Sequence, residues 1–489
     1  MRRVVLKASC VLLVAGVAAS VSADEGALPV RLELSASDLE EVHEDWYGIY
    51  SGENKLGYLR ITVRPDVDYV AVENEMQLKI ITMGERREVK STESLRFTRT
   101  RPYSLLGGSG TTTQGPYVQT VEIEPAEGGF SARISAGGTE RQMDLGQIDY
   151  TLEDVLTPEL WFRTPRAAGD AFSARSFSLT DLRPSIDTYS VLGLRETHVN
   201  GVPMAYYEVT LHSSVAGEIG TALIDTAGRL ISGVLGGAFE FRLETAEFAT
   251  DFDYSADVYL LGLAEIDQGL GDPREVSGLV MEIAGAELPS IPNSTNQSLV
   301  LNEATGTWTL SIGEDSGQPQ PATPEEIEEA LAETVEHPIY DQRIVDLARE
   351  ATADASTDVA RVRKLVHFVD RFVVDSYSAE PLTVLDLLST PKGDCTEHAL
   401  LFSTLARAVG IPSREVTGLL YLGDDVQAFG GHAWNEVVLD GHWTPVDATW
   451  GETEINATHI RLGTRLGDGA SLQNLFANYS FRLIEARYY

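Results

Sequence analysis

Three residues near the end of the chain are of the types that carry out nucleophilic acyl transfer. They are Cys395, His432 and Asp447, and all three lie between Gly393 and Thr449. A thiol supplies a nucleophile, an imidazole can take its proton, and a carboxylate can hold the imidazole in one tautomer. The chemistry would be attack on an acyl carbon, provided that the fold brings the three side chains together.

Cys395 is predicted to begin a helix. Asp394 suits the N-cap position, and Glu397 places a negative charge in the first turn. Apolar residues then recur with helical spacing at Ala399, Leu400, Phe402, Leu405, Ala406 and Val409. Gly410 and Pro412 end the helix. A helix N-terminus favours thiolate over thiol, whereas an arbitrary cysteine is more often a small buried apolar residue.

The histidine and the aspartate are predicted to belong to one β-hairpin. The run HAWNEVVLD is followed by the two-residue turn Asp440-Gly441 and then by HWTPVDATW. In this register Leu439 faces His442. Side chains that share one face of the sheet are then His432, Trp434, Glu436, Trp443, Pro445, Asp447 and Thr449.

The same register places Trp434 opposite Asp447 and His432 opposite Thr449. Asp447 is then diagonal to His432, at about 7 Å between backbones, which a side-chain hydrogen bond can span. A shift of one residue would put the two on opposite faces. Taken singly, a strand histidine is usually structural and such an aspartate usually lies in a turn, but the combination with a thiol at a helix start favours a catalytic site.

Other side chains on this hairpin have less specific interpretations. Trp434 and Trp443 either line an acyl tunnel or pack in the core. Glu436 and His442 are interpreted as structural or solvated.

The segments GDCTEHALLFSTLARAVGIPSR, GGHAWNEVVLDGHWTPVDATW and INATHIRLG resemble the bacterial transglutaminase-like superfamily, a circularly permuted relative of papain. The resemblance covers about the last third of the chain. It implies that Cys395 is the nucleophile, His432 the base and Asp447 the orienting acid. Animal transglutaminases also carry an oxyanion-stabilising tryptophan before the cysteine, but this chain has none between Trp308 and Cys395. The oxyanion role is therefore not assigned to a side chain, and backbone N–H groups are candidates for it.

The chain divides into four predicted regions: a signal peptide at 1–23, an antiparallel β domain at 24–253, a small β segment with a linker at 254–320, and a transglutaminase-like domain at 321–489. Alternating apolar residues and turn signals predict the first β region, with a helix near Leu152–Phe162. The last region reads as helices followed by sheet. The predicted fold class is α+β, a papain-like C-terminal domain preceded by a large antiparallel β domain and a small β segment.

The N-terminus reads as a secretory signal. Arg2, Arg3 and Lys7 precede an apolar run that ends at Ala23, and this run is short for a membrane span, although an uncleaved anchor is an alternative. We therefore expect a periplasmic or secreted protein. Cleavage would remove Cys10 and leave Cys395 as a lone thiol in an oxidising compartment, which catalysis would explain. An intermolecular disulfide or an inert buried thiol are the alternatives.

The strong acidity argues against some partners. The net charge is −37, and loss of the three cations of the leader would make it −40. A charge of this sign disfavours binding to nucleic acids and to anionic membranes. Because the acidic residues are spread along the whole chain, adaptation to a salty environment explains them better than a binding patch does.

The sequence thus predicts an exported thiol enzyme that acts on peptide or protein amides, cell-wall peptides among them, through a thioester. Hydrolysis is slightly favoured over transfer to an amine. Neither a cofactor nor a metal site is predicted, since no nucleotide-binding or zinc pattern occurs. The alternative is a non-catalytic binding or assembly module that retains the fold.

Overall fold

The computed structural model describes residues 29–489 apart from 40–41, 83, 116, 137, 180–181, 183, 200–201, 215–216, 236–238, 285–290, 377–382 and 464–478. The predicted leader and Cys10 lie outside the described residues. The described chain is mostly β. It contains two large sheets, and helices cluster in its C-terminal part.

The first sheet is an antiparallel meander of fourteen strands. They are β1 (His43–Ser51), β2 (Asn54–Pro65), β3 (Tyr69–Thr82), β4 (Glu85–Thr98), β5 (Leu105–Gln114), β6 (Tyr117–Ala126), β7 (Gly129–Ala136), β8 (Thr139–Gly146), β9 (Ala171–Phe177), β10 (Pro184–Val199), β11 (Val202–Ser213), β12 (Gly217–Asp225), β13 (Leu230–Leu235) and β14 (Phe239–Glu244). The order runs from β8 back to β1, then from β14 back to β9. The predicted N-terminal β-rich region is confirmed.

A single helix, α1 (Leu152–Phe162), connects the two edge strands of this sheet. It begins with a capping box in which Thr151 and Asp154 bond each other's backbone N–H groups. At its other end Trp161 stacks on Phe172 of β9 with ring centroids 4.4 Å apart. The helix predicted at these residues is confirmed, and it covers one edge of the sheet's core.

The second sheet has ten strands and carries the residues of interest. They are β15 (Ala264–Ile266), β16 (Val276–Ala284), β17 (Gln297–Asn302), β18 (Thr307–Gly313), β19 (Gln320–Pro321), β22 (Ser413–Tyr421), β23 (Ala428–Leu439), β24 (His442–Val446), β25 (His459–Gly463) and β26 (Ser480–Tyr488). The main path is β17-β18-β16-β26-β15-β23-β22-β25, and β24 pairs with both β23 and β19.

The strands β15 to β19 come from the predicted small β segment. They are hydrogen-bonded into the same sheet as the C-terminal strands, for example through β16 with β26 and β19 with β24. This segment therefore extends the C-terminal sheet. The boundaries of the four predicted regions stay a prediction.

The C-terminal helices precede the central strands of the second sheet, and the last of them packs directly on those strands. The helices after α1 are α2 (Ala246–Thr250), α3 (Val258–Leu261), α4 (Pro324–Glu329), α5 (Gln342–Ala351), α6 (Asp358–Phe372), α7 (Val384–Leu387) and α8 (Cys395–Ala408). The short strands β20 (Val374–Asp375) and β21 (Lys392–Gly393) pair in parallel and lead into α8. One apolar core joins α5, α6, α7 and α8 to Val437 and Val446 of the β23–β24 hairpin.

Among the helices of the described residues, none combines the length and the hydropathy that crossing a bilayer requires.

Candidate active site

Cys395 occupies the first position of α8, as predicted. The side chain of Asp394, the N-cap, accepts a hydrogen bond from the N–H of Thr396 at 2.9 Å. Glu397 in turn accepts from the N–H of Asp394 at 2.8 Å, which completes a capping box. The thiol is 1% exposed. It therefore lies at the positive end of a well-capped helix and inside the protein.

The start of α8 is fixed against strand β23. Cys395 and Ala399 form a small apolar cluster with Ala433, the residue that follows His432. One helical turn further on, Asn435 donates from Nδ2 to the carbonyl of Ala399 and to Oγ of Ser403, both at 2.9 Å. These contacts hold the thiol beside the strand that carries the histidine.

The predicted hairpin turn is confirmed. Asp440 and Gly441 have φ angles of 50° and 80°, the left-handed values that a two-residue hairpin turn of this type requires. Leu439 faces His442, as expected from the sequence. This register places the even-numbered residues of β23 on the face predicted for the site.

The ladder ends earlier than predicted. Its last pair is Asn435 with Val446, so the expected pairs of Trp434 with Asp447 and His432 with Thr449 are not part of it. Asp447 instead bridges to Glu452, through two backbone hydrogen bonds of 2.8 Å. The backbone N–H and carbonyl of Asp447 are therefore hydrogen-bonded to Glu452 and not to β23.

His432 and Asp447 nevertheless meet. Nε2 of His432 lies 2.7 Å from Oδ2 of Asp447, and both side chains are completely buried. The other carboxylate oxygen, Oδ1, accepts from the N–H groups of Thr449 at 2.7 Å and Trp450 at 3.3 Å. Asp447 thus holds the imidazole by Nε2 and leaves Nδ1 as the other ring nitrogen.

The electrostatics of Asp447 favour its ionised form. Burial alone would raise the pKa of this carboxyl group. The charges and hydrogen bonds of His432 and His459 outweigh burial and hold the pKa of Asp447 well below its usual range. At neutral pH the group is a carboxylate.

A second histidine, His459, was missed by the sequence analysis. Its Nε2 lies 3.2 Å from the same oxygen of Asp447, and its Nδ1 lies 3.2 Å from the carbonyl oxygen of Asn456. Its side chain is completely buried. It belongs to the segment INATHIRLG, one of the three that carry the family resemblance, and that was the available signal.

Two tryptophans surround the histidines. Trp434 and Trp450 both have ring centroids within 6.5 Å of His432 and within 5.8 Å of His459. Trp434 is 1% exposed and its six-membered ring lies directly over Gly418, where an added Cβ would come within 2.1 Å of Cη2. The core interpretation of Trp434 therefore holds, and its ring packs directly against the imidazoles.

Three further side chains of the hairpin make contacts away from His432. Trp443 is 2% exposed and lies under the guanidinium of Arg414, 3.7 Å from its ring centroid. Buried Glu436 accepts from Arg414 at 2.9 Å and from Arg461 at 2.8 Å. His442 is exposed and contacts the carbonyl of Asp440 within the turn.

One group of side chains has donor atoms close enough to share a cation. In the part of the chain that the structure describes it consists of His432, Asp447 and His459, whose atoms lie within 4.8 Å of one another. The separations of 2.7 and 3.2 Å from nitrogen to oxygen lie within hydrogen-bonding range. The group is therefore a hydrogen-bonded cluster.

Comparison with known proteins identifies a transglutaminase-like domain. Residues 345–448 match the family model of the transglutaminase-like superfamily. This range contains Cys395, His432 and Asp447. The resemblance noted from the sequence is confirmed for this part of the chain.

Two curated relatives are similar to this chain over a short segment. The chain is 32% identical to human kyphoscoliosis peptidase over 122 residues, and 30% identical to the mouse protein over 124 residues. Each match spans 23% of this chain and less than a fifth of the relative, 18% and 19% respectively.

Two solved structures are similar at low sequence identity. One is a candidate cysteine protease from Cytophaga hutchinsonii, at 17% identity and a TM-score of 0.27, covering 40% of this chain and 80% of that one. The other is a β-barrel-like protein of a domain of unknown function from Brucella abortus. It has 10% identity and a TM-score of 0.31, and covers 42% of this chain and 96% of that one.

Proposed function

We propose that this protein is a thiol enzyme that cleaves or transfers peptide and protein amides, with Cys395 as nucleophile, His432 as base and Asp447 as orienting acid in a papain-like α+β domain. The observation that carries the proposal is the buried 2.7 Å hydrogen bond between His432 and Asp447, on the strand against which the thiol of Cys395 is packed.

The reaction follows from the three groups. Nδ1 of His432 takes the thiol proton while sulfur attacks the acyl carbon, and the carboxylate of Asp447 stabilises the imidazolium that forms. The carbon–nitrogen bond then breaks, the leaving amine takes the proton from His432, and a thioester remains on Cys395. Water or an amine gives a proton to His432 as it attacks, the carbon–sulfur bond breaks, and the thiolate recovers the proton.

Hydrolysis is placed slightly ahead of transfer to an amine, and the proposed substrates are peptides or proteins, cell-wall peptides among them. We also propose export to the periplasm or beyond. Support comes from the leader-like sequence 1–23 and from the lone thiol that its removal would leave.

The alternative function is a binding or assembly module without catalysis. One observation favours it: Cys395, His432 and Asp447 are 1%, 3% and 0% exposed, so a substrate needs an opening movement to reach the sulfur. Under this alternative the fold is retained and the thiol is an inert core residue.

Acylation by a small activated ester tests the proposal. The full chain is incubated with p-nitrophenyl acetate, and the intact mass is followed together with p-nitrophenol release. We expect one acetyl group on Cys395, lost with turnover, and no acetylation in Cys395→Ala or His432→Ala. His367→Ala, which changes an exposed histidine of α6, is the matched control and should react like the parent.

Adding casein and a fluorescent primary amine to the same samples separates the two acyl acceptors. Release of peptides without fluorescent casein indicates a hydrolase, and fluorescent casein indicates transfer. A thiol that is acetylated equally fast with and without His432 would overturn the catalytic proposal and favour the binding module.

A further inference from the structure

His459 places both of its ring nitrogens opposite acceptors. Nδ1 faces the carbonyl oxygen of Asn456 and Nε2 faces Oδ2 of Asp447, each at 3.2 Å. A carbonyl oxygen can only accept a hydrogen bond, and an ionised carboxylate can only accept as well. A neutral imidazole has one N–H, so it could satisfy only one of these two contacts.

The carbonyl of Asn456 is held where it is by other bonds. The carboxylate of Glu452 accepts from the backbone N–H of Asn456 at 3.1 Å and from its side-chain amide at 3.0 Å. The side-chain oxygen of Asn456 accepts from the N–H and hydroxyl of Thr458. Because these hydrogen bonds fix the turn on both sides of Asn456, they also fix the position of the carbonyl oxygen that faces Nδ1 of His459.

We propose that His459 carries a proton on both nitrogens and acts as a positioning residue, a buried imidazolium that orients Asp447 and neutralises its charge. The unit is then Cys395, His432, Asp447 and His459, four residues in place of the three that the sequence predicted. The catalytic consequence rests on the proposed function, whereas the protonation state of His459 does not.

The charge balance of the buried cluster supports this assignment. Asp447 and His459 have completely buried side chains, and an isolated carboxylate there would be strongly disfavoured. With His459 charged, the pair is neutral. The pair of Cys395 and His432 is neutral both as thiol with imidazole and as thiolate with imidazolium, so the whole unit keeps zero net charge as the proton moves.

The aromatic surroundings also suit a cation. The ring of His459 lies 5.3 Å from Trp434 at an interplanar angle of 81°, and 5.8 Å from Trp450 at 77°. The face of an indole ring attracts a positive charge within about 6 Å, and a perpendicular arrangement of the two rings allows such a contact. His459 is thus placed between two tryptophans and a carboxylate.

Charged groups on the neighbouring elements are already paired. Arg461, two residues along β25, bonds Glu436 of β23. Glu452 bonds Asn456, and Arg274 lies over Trp450 with its guanidinium carbon 4.9 Å from the ring centroid. The ring of His432 lies next to that of His459, with centroids 5.6 Å apart. Asp447 therefore provides the anionic partner of His459.

A charged His459 would weaken the hold of Asp447 on an imidazolium at His432. The base would then release its proton to the leaving amine more readily than it would beside an uncompensated carboxylate. His459 would thus make His432 release its proton more readily without itself contacting the substrate.

Nitrogen NMR of the full chain with 15N-labelled histidine tests the protonation state directly. The signals of His459 are assigned by their loss in His459→Gln. At pH 7 we expect both of its nitrogens to give imidazolium shifts. A neutral ring, with one nitrogen at the shift of an unprotonated site, would overturn the proposal. If His459→Gln does not fold, His459→Lys supplies the assignment in its place.

Alkylation of Cys395 by iodoacetamide tests the positioning role. Loss of a positive charge 5.6 Å from the ring of His432 should move the pH dependence of alkylation upward by about one to two pH units in His459→Gln. His459→Lys should recover part of that shift, and His367→Gln should leave the profile unchanged. An unshifted profile in a folded His459→Gln variant would exclude the role in tuning His432.

The two proposals fail separately. If p-nitrophenyl acetate never acylates Cys395 while NMR finds a charged His459, the proposed function fails and the buried imidazolium stands. If acylation occurs and His459 is neutral, the enzyme needs three residues only.

Discussion

The carboxylate of Asp447 contacts the imidazole of His432 at 2.7 Å, although the strand that leads to Asp447 ends one residue earlier, at Val446. The contact therefore depends on two features. The hairpin register brings the end of β24 beside β23, and the bridge of Asp447 to Glu452 then fixes the backbone that carries the carboxylate. Changes at either feature should act on the chemistry before they act on the fold.

Replacing Asp447 should slow acylation of Cys395 more than it unfolds the protein. We expect Asp447→Asn to lower the rate about 100-fold and Asp447→Ala to lower it further, toward 10,000-fold, because the imidazole loses its fixed tautomer and the partner of its charge. The initial rate of p-nitrophenol release measures this. Asp440→Asn is the matched control, since an asparagine tolerates the left-handed turn position and should leave the rate unchanged.

A methyl group at Gly418 should displace Trp434. An added Cβ would lie 2.1 Å from Cη2 of Trp434 and 2.2 Å from the carbonyl oxygen of Ile460, and the backbone of β25 cannot yield easily. Gly418→Ala should therefore cost about 1–3 kcal/mol or more and lower the acylation rate, since Trp434 packs on both histidines. Urea denaturation and the acylation assay measure the two effects. Gly193→Ala, with open space around its Cβ, should change neither.

We expect the N-cap of α8 to contribute both to the stability of the helix start and to the reactivity of the thiol of Cys395. Asp394→Ala removes the acceptor for the N–H of Thr396 and should cost about 0.5–2 kcal/mol. It should also lower the acylation rate, because Cys395 sits in the turn that would fray. Thermal melting and acylation are measured together.

Two variants isolate the effect of that cap. Asp394→Asn keeps an acceptor and should keep most of the stability. Thr357→Ala removes the equivalent cap of α6 and should reduce stability without changing acylation. Equal loss of acylation in Thr357→Ala would mean that general destabilisation explains the result.

Local signals in the sequence were sufficient to predict the two elements that carry the predicted site, the start of α8 and the hairpin of β23 and β24. Asp394 and Glu397 define the start of α8 through hydrogen bonds within four residues of one another. The Asp440-Gly441 pair defines the hairpin because few other residues adopt two consecutive left-handed conformations. The register of β23 and β24 near the turn follows from that pair alone.

Tertiary contacts decided what the sequence could not predict. The end of the ladder at Val446 depends on the bridge of Asp447 to Glu452, which no periodicity encodes. The contact of His459 with Asp447 depends on the pairing of β25 with β22. In the sheet, β22 separates β25 from β23, and β24 lies on the other side of β23, so no local pattern brings the two residues together. Strands β15–β19 join the C-terminal sheet by pairing with segments that are distant in the sequence, and this pairing could not be predicted from local patterns either.

Acid should destabilise the protein through buried and half-buried carboxylates whose pKa is lowered in the folded state. Burial alone would raise the pKa of Glu415, but the charges of His337 and Arg407 lower it from 4.5 to about 2. The pKa of Asp447 is lowered as well. A lowered folded-state pKa means that the unfolded chain binds more protons as the pH falls, so the stabilisation is complete above about pH 4.5 and is lost as the pH falls toward 2.

Glu415→Gln isolates this contribution because it removes a carboxyl group that titrates in that window. The variant should be less stable than the parent at pH 7, and its free energy of unfolding should fall less steeply between pH 4.5 and 2. Urea denaturation at a series of pH values measures both. Glu485→Gln, which removes an exposed carboxylate 3.7 Å from Arg487, is the control and should follow the parent curve. If the parent and Glu415→Gln curves run parallel through the acid range, the Glu415 carboxylate is not held ionised by His337 and Arg407.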